Sequence, residues 1–245
     1  MADSEIVSVQ NGPVQIISWK REKQRNAFTS QLALGLKQAV KEAGDDQSIG
    51  VIFLDPGNTV FSSGWDLNEI HEARSAGVVK SNSLVESGRL CLNEISKSPC
   101  FVVSVCRGAA LGFGISILSN SDFVLAQSSA KIALPELDSG VIPSTVLGDL
   151  TAKVGNSRAL SWSIFGSISK SDALNSGLVN SFIPHDEIDA EIESYVSRFS
   201  KVGVSSLRSL VALAREMGNL SGEEAKMKGD DFTKSSLSIG ELENN

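Results

Sequence analysis

The chain has 245 residues, of which 41% are hydrophobic and 21% are charged, so it is long enough and apolar enough for one large domain with a substantial core. Its formal net charge of −7 argues against a nucleic-acid partner, because no basic stripe is available to replace phosphate counterions. No apolar run reaches the roughly 20 residues that a membrane span needs, and the polar, acidic start is unlike a signal peptide, so we expect a cytoplasmic protein without a membrane span.

The first half of the chain alternates predicted strands and helices. Two apolar segments flank an Asn-Gly turn and predict a hairpin, and a capped segment with helically spaced apolar residues predicts the helix that follows. The predicted elements are a hairpin of Ile6–Val9 and Val14–Trp19, a helix from Thr29 or Ser30 to about Ala43, a strand at Val51–Asp55, a helix or loop from Asp66 to about Ala76, a helix at Leu84–Ile95, and a strand at Phe101–Val105 that leads into a helix at Ile115–Leu118.

The second half predicts more helix than strand, and its last third is wholly helical. Ser169 or Ser171 would cap a short helix that Gly177 closes. The predicted elements are strands at Phe123–Ala126 and Lys131–Leu134, helices at Thr145–Val154 and Ser157–Phe165, a short helix that contains Asp172, Ala173 and Leu174, a strand at Leu178–Ile183, and helices at about Glu187–Lys201, Ser205–Met217 and Ser221–Lys234.

Two predicted junctions between a buried strand and a helix carry glycine. Phe61–Leu67 follows the strand Val51–Asp55, and Gly108–Gly114 follows the strand Phe101–Val105. Glycine at such a turn lets backbone N–H groups approach a ligand closely, and the first N–H groups of a helix lack partners and favour negative charge. Two such junctions could supply two inward-pointing N–H groups, which would hold a phosphate or an oxyanion that develops during a reaction.

These junctions resemble a known pattern. Phe61–Asp66 reads as a phenylalanine, a small pair, glycine, one variable residue and aspartate, and Gly108–Asp122 reads as a small-residue turn into a helix that ends at an aspartate. Both are similar to motifs of the crotonase family, the enoyl-CoA hydratase/isomerase superfamily. Further similar segments keep the family's order over roughly residues 5 to 200: the basic-Asn-Ala segment Arg21–Ala27, the acid-bearing segment Pro135–Gly140, and the Ala-Leu-x-x-Gly-Leu-Val segment within Gly166–Val179.

The resemblance implies an architecture and a ligand. The fold class would be α/β, a crotonase-like spiral of ββα units with a C-terminal helical extension. Residues 1–185 would form the spiral core, and residues 186–245 would cover the acyl site and contribute to oligomerisation, as a homotrimer or a dimer of trimers. The substrate would be an acyl-CoA, with coenzyme A as part of the thioester and with no metal or further cofactor.

The resemblance also implies an oxyanion hole. A pair of fixed N–H donors is the largest stabilisation that a protein can give to a thioester enolate, and removal of one donor costs about 3–4 kcal/mol. The family positions of these donors correspond to the backbone N–H groups of Trp65 and Phe113, and the indole of Trp65 would also line the acyl pocket. The alternative is that Trp65 and Phe113 are core aromatics.

Glu136 is the candidate for proton transfer. Its apolar surroundings make a carboxyl expensive unless it is used or paired, partial burial would raise its pKa, and it lies at the position of one catalytic glutamate of the family. The alternative is a structural glutamate in a salt bridge. The apolar neighbours are Ile132, Ala133, Leu134, Pro135 and Leu137.

The remaining implied site residues bind the substrate. Lys23 and Arg25 would meet the nucleotide end of CoA. The others are Ala27, Ser63, Gly64, Asp66, Leu67, Gly112, Ser116 and Ser144, of which Asp66 would cap a helix rather than react.

One acid of the hydratase pattern is missing, because Ser116 stands where the family's hydratases carry a second glutamate. A single carboxylate can still move a proton between two carbons, so the resemblance favours a 3,2-enoyl-CoA isomerase. Two alternatives stay open: a hydratase or lyase in which Ser144, Asp138 or a water replaces the missing acid, and a catalytically silent CoA-binding protein. Ser116 itself would bond back to its own helical turn or serve as a pocket hydroxyl.

Six other side chains are the subject of a prediction. A buried Arg107 would need a carboxylate, for which Asp122 is the candidate. His71 is expected to be solvated, and His185 has no evident partner. The cysteines show no metal-ligand spacing and predict buried, reduced thiols; they are Cys91, Cys100 and Cys106.

Overall fold

Two β-sheets organise the chain. A computed structural model describes the backbone of residues 6–57 and 60–242, and the side chains of those residues up to 236. The described residues form ten strands and ten α-helices. This mixed architecture, with parallel strands and a helical C-terminal part, confirms the predicted α/β class.

The larger sheet has six strands in the order β1-β2-β3-β5-β7-β10. β1 and β2 form the predicted antiparallel hairpin, and the other neighbouring pairs are parallel. Its strands are β1 (Ile6–Asn11), β2 (Val14–Trp19), β3 (Val51–Leu54), β5 (Phe101–Cys106), β7 (Phe123–Gln127) and β10 (Ser181–Ile183).

The smaller sheet has four short strands in the order β4-β6-β8-β9. β4 is parallel to β6, β6 is parallel to β8, and β8 is antiparallel to β9. Its strands are β4 (Val60–Ser62), β6 (Ala109–Leu111), β8 (Ile132–Ala133) and β9 (Ser167–Ile168).

The helices follow the predicted order, with shifted ends. The capping predictions hold: Thr29 accepts the N–H of Leu32, and Ser169 accepts the N–H of Asp172. The third helix begins earlier than predicted, directly after Gly77. The α-helices are α1 (Ser30–Asp45), α2 (Leu67–Ala76), α3 (Val78–Lys97), α4 (Phe113–Asn120), α5 (Ser144–Val154), α6 (Asn156–Phe165), α7 (Lys170–Asn175), α8 (Ile188–Phe199), α9 (Val204–Met217) and α10 (Gly222–Leu242).

The larger sheet is buried on both faces, as parallel sheets are. All four residues of β3 are buried, and alternate ones point to opposite faces. Ile52 and Leu54 belong to the main core, whereas Val51 and Phe53 belong to a second cluster with Ile188 of α8. α8 therefore covers the second face of the sheet. The division into residues 1–185 and 186–245 stays a prediction, and the chain ends at residues 1–5 and 243–245 lie outside the described residues.

Each glycine junction contains residues of a short strand of the smaller sheet. β4 overlaps the start of Phe61–Leu67 and β6 lies within Gly108–Gly114, so a short strand that was not predicted leads into each helix. Because β4 and β6 are parallel neighbours, their carboxyl ends lie side by side and bring the two junctions together. Among the described residues, no helix is both long and apolar enough to cross a bilayer.

Candidate active site

A cavity of about 670 Å³ opens at the carboxyl ends of β4 and β6. Two of the predicted site residues, Lys23 and Ser116, are not part of its lining. The predicted residues that line it are Arg25, Ala27, Ser63, Gly64, Trp65, Asp66, Leu67, Gly112, Phe113, Glu136 and Ser144.

The two junctions touch at their glycines. A Cβ built on Gly112 would lie 3.6 Å from the Cα of Gly64, and one built on Gly64 would lie 3.8 Å from the Cα of Gly112. Both glycines have positive φ, 96° at Gly64 and 49° at Gly112, a conformation that a side chain disfavours. Distances of 3.6 and 3.8 Å are ordinary van der Waals contacts, so the positive φ values, and not a lack of room between the junctions, favour glycine at both positions.

The backbone N–H groups of the residues that follow these glycines, Trp65 and Phe113, have no acceptor within the described residues. Phe28 and Trp65 form a parallel bridge in which the N–H of Phe28 donates to Gly64 O and the N–H of Asp66 donates to Phe28 O. Phe113 is the first residue of α4, so its N–H has no partner within the helix. In the described part of the chain, neither the amide of Trp65 nor that of Phe113 donates a hydrogen bond.

The carboxyl of Glu136 lies against the second junction. A Cβ on Gly112 would overlap its Oε1, and its Oε2 is buried without a hydrogen-bond partner among the described residues. A tight turn fixes the backbone, since the N–H groups of Ser139 and Val141 both donate to Glu136 O. Burial raises the pKa of this carboxyl above its usual value. No salt bridge within the described ranges includes Glu136, which disfavours the structural alternative.

The aromatic rings of both junctions meet at the cavity wall. The rings of Trp65 and Phe113 are perpendicular, with centroids 4.8 Å apart. Phe113 belongs to the main core, and the half-buried Trp65 packs against that core. Each ring therefore packs against the core on one side and lines the cavity on the other.

A short loop carries the cationic end of the site. Arg25 and Asn26 have positive φ values of 52° and 54°, unusual for residues with side chains. The buried Asn26 side chain holds this bend, because its Oδ1 accepts the N–H of Arg21 and its Nδ2 donates to Val60 O. Arg25 reaches the cavity, whereas Lys23 is exposed outside it.

Comparison with known proteins decides the family. A sequence model described as "Enoyl-CoA hydratase/isomerase" matches residues 9–233. The chain belongs to the enoyl-CoA hydratase/isomerase family. Its relatives include the mitochondrial enoyl-CoA hydratase of Pongo abelii, 29% identical over 227 residues that cover 92% of this chain and 75% of the relative. Another is the 2,3-dehydroadipyl-CoA hydratase of Escherichia coli, 26% identical over 224 residues that cover 89% and 86%.

Solved structures agree with this membership at the level of the fold. Human enoyl-CoA hydratase domain-containing protein 3 has a TM-score of 0.88 at 20% identity, with 96% of this chain and 92% of that chain covered. The enoyl-CoA hydratase of Mycobacterium smegmatis has a TM-score of 0.87 at 21% identity, with 96% and 91% covered. At these identities the likeness shows the crotonase fold alone.

In this member of the enoyl-CoA hydratase/isomerase family, Ser116 takes neither of its expected roles. Its side chain is fully buried, and its Oγ has no hydrogen-bond partner in the described part of the chain. The expected bond back to its own helical turn is therefore wrong, and the residue does not line the cavity. The N–H of Ser116 bonds to Gly112 O, but the side chain points into the core.

The predicted partner of Arg107 is also wrong. Arg107 pairs with Asp55 at 2.8 Å and with Asp189 at 2.7 Å, not with Asp122, which pairs with Arg215. Strand polarity explains the error, because Arg107 follows β5 at its carboxyl end, whereas the carboxyl of Asp122 binds the N–H near the amino end of that strand.

His185 has a partner, contrary to expectation. Its Nδ1 contacts Nε2 of Gln127, because the parallel pairing of β10 with β7 places Ile183 beside Gln127. The expectations for His71 and the cysteines are confirmed, since His71 is exposed and all three cysteines are free and buried.

Part of the cavity wall escaped sequence reasoning. These residues come from α2, from α3, from the segment before α5 and from α5 itself. Their apolar pattern is the same as that of core-facing positions, so no local signal distinguishes cavity-lining from core residues. The missed apolar residues include Ile70, Leu84, Val85, Gly88, Val141, Ile142 and Val146.

Proposed function

We propose that this protein is a 3,2-enoyl-CoA isomerase in which Glu136 moves the proton. One observation carries the proposal: two carboxyl side chains line the cavity, and Glu136 is the one without an ion pair among the described residues. The other, Asp66, accepts the N–H of Asn68 at the start of α2 and pairs with Arg21 at 3.2 Å. A site with one available acid suits proton transfer between two carbons better than the addition of water, which uses an acid and a base.

The proposed reaction begins with the ionised carboxyl of Glu136. It removes a proton from carbon 2 of a 3-enoyl-CoA, and the electron pair moves through the thioester carbon to its oxygen, which forms a dienolate. The unused amides of Trp65 and Phe113 would donate to that oxygen, each supplying about 3–4 kcal/mol. The protonated Glu136 then delivers the proton to carbon 4, where the electron pair of the 3,4 double bond forms the new C–H bond. The thioester carbonyl is restored, and the double bond now lies between carbons 2 and 3.

The environment of Glu136 supports its role as both base and acid. Because burial raises its pKa, the carboxylate is a stronger base, and its protonated form persists closer to neutral pH. Arg25 at the cavity mouth would meet the nucleotide phosphates of CoA, and the apolar walls would hold the acyl group. The proposed chemistry calls for no group other than the thioester substrate itself.

A hydratase is the second candidate, favoured by the names of relatives such as the hydratases of Pongo abelii and Escherichia coli. Water addition would need a second polar group at the cavity. Ser144 lies at the cavity wall and could orient a water molecule, whereas Asp138 is exposed and is not part of the lining.

Product analysis separates these functions. The purified protein is incubated with 3-enoyl-CoA and separately with 2-enoyl-CoA, and the products are resolved by chromatography and mass spectrometry. We expect 3-enoyl-CoA to become 2-enoyl-CoA without a change of mass, and Glu136→Gln to abolish the conversion. A product heavier by one water from 2-enoyl-CoA supports the hydratase, and tight CoA binding without turnover supports a silent binding protein; either result overturns the isomerase proposal.

A further inference from the structure

The indole of Trp65 lines the cavity and reaches from the start of α2 to the middle of α3. At one end, its Nε1 donates to Oε2 of Glu69 at 3.0 Å. At the other end, its Cζ3 and Cη2 would lie 3.2 and 3.4 Å from a Cβ built on Gly88. The ring therefore reaches α3 at the one position where the helix has no side chain in its way.

The Glu69 carboxylate is itself held in place. Besides the indole, it accepts the N–H of Ser30, with Oε2 at 2.9 Å and Oε1 at 3.2 Å. Ser30 is the first residue of α1, and the positive end of a helix dipole stabilises a carboxylate there. The side chain of Glu69 thus connects two helix termini and fixes the orientation of the indole.

Phe113 supports the indole from behind. Its ring packs edge-on against Trp65 and lies 5.1 Å, centroid to centroid, from Phe28 in the core. A Cβ on Gly88 would lie 3.1 Å from Cε2 of Phe113, so Gly88 accommodates both rings. Together they separate the cavity from the main core.

We propose that the Trp65 indole limits the length of the acyl group to short chains, and that Glu69 is the positioning residue that holds the indole in place. This inference rests on the proposed function. If the amides of Trp65 and Phe113 bind the thioester oxygen, the acyl group begins beside their rings. Leu84 and Val85 line the cavity one turn before Gly88 on α3, so a chain that extends along this helix meets the indole at Gly88.

The affinities of saturated acyl-CoAs of increasing length test this limit without turnover. An unhindered apolar pocket gains about fourfold in affinity for each buried methylene. We expect the affinity of the natural protein to stop rising between butanoyl-CoA and octanoyl-CoA. In Trp65→Ala, the ratio of octanoyl-CoA to butanoyl-CoA affinity should increase at least about tenfold.

Two further variants complete the experiment. Glu69→Ala frees the indole and should raise the same ratio by a smaller factor, whereas Glu72→Ala, one turn along α2 and outside the cavity lining, should leave it unchanged. Trp65→Phe keeps a smaller ring without the N–H, and it replaces Trp65→Ala if that variant does not fold.

The outcomes separate this inference from the proposed function. Equal affinity ratios in the natural protein and in a folded Trp65 variant overturn the length limit, even if isomerase activity is present. A shift in Glu72→Ala as large as that in Glu69→Ala overturns the role of Glu69. Failure of the natural protein to bind any acyl-CoA overturns both the inference and the proposed function.

Discussion

The α-carbon of Gly112 lies against the carboxylate of Glu136, so close that a Cβ at position 112 would overlap Oε1. This contact joins the turn that ends β6 to the turn that carries the acid. It places the carboxyl of Glu136 beside the first residue of α4, whose amide is one of the two proposed oxyanion donors. The distance between acid and amide therefore depends on a residue without a side chain.

Gly112→Ala should damage the site more than the fold. The added methyl group displaces the Glu136 carboxyl, and the backbone at φ 49° disfavours a side chain at a cost of about 1–3 kcal/mol. We expect isomerase kcat/KM to fall at least about hundredfold, measured by steady-state kinetics, with stability followed by urea unfolding.

A matched glycine provides the control. Gly148 lies in α5, and a Cβ there meets nothing within 4 Å, so Gly148→Ala should stabilise the protein by about 0.5–1 kcal/mol and leave activity unchanged. Full activity in Gly112→Ala would show that the contact with Glu136 is not needed for catalysis.

The buried carboxyl of Glu136 should make stability depend on pH. Burial raises its pKa in the folded state above the ordinary value of 4.5. Between the ordinary pKa and the raised pKa, the folded chain therefore binds more protons than the unfolded chain. The contribution of this group to stability therefore falls as the pH rises through that window. Glu136→Gln should be more stable than the natural protein at about pH 7, and the difference should shrink at about pH 4.

Urea midpoints of the two proteins at both pH values provide the measurement. Equal midpoints at neutral pH would mean that burial of the ionised Glu136 carboxyl does not destabilise the folded protein. If the stability advantage of Glu136→Gln instead grew on acidification, the pKa of Glu136 would be lowered in the folded state, not raised.

Local patterns were sufficient to predict most elements of the fold but not the contacts between them. The hairpin and the caps at Thr29 and Asp66 depend on nearby residues and were predicted correctly. β4 and β6 have three residues each, too few to show a strand period, so only the family resemblance placed the two junctions together. The same limit affects the partner of Arg107, because it depends on which end of a strand a residue occupies.

The ion pair of Arg107 with Asp55 should stabilise the fold far more than an exposed pair does. Both side chains are mostly buried, with 18% and 11% exposed, and removal of Asp55 leaves the mostly buried Arg107 with only the exposed Asp189 as an ion-pair partner. We expect Asp55→Ala to destabilise the protein by about 3–5 kcal/mol. Lys80→Ala, which breaks the exposed pair with Glu72, should change stability by less than about 1 kcal/mol. Similar losses in the two variants, by urea unfolding, would contradict this difference.

The two cations predicted to meet CoA should contribute unequally. Arg25 lines the cavity, whereas Lys23 is exposed outside it. Arg25→Ala should raise the Kd for CoA about tenfold at low salt, since a charge-assisted hydrogen bond is lost, and the effect should shrink as salt screens the charge. Lys23→Ala should change the Kd less than about threefold by the same titration calorimetry, and a reversed order would place the nucleotide elsewhere.

Exchange of the carbon 2 hydrogen of butanoyl-CoA with deuterium from heavy water tests the enolate most directly, because this saturated thioester can neither isomerise nor add water. The rate is measured by mass spectrometry for the natural protein and for Glu136→Gln. We expect the natural protein to catalyse the exchange, and Glu136→Gln to slow it at least about hundredfold while butanoyl-CoA still binds. Exchange at the same rate in both proteins, or none in a natural protein that binds the thioester, would contradict the proposed role of Glu136.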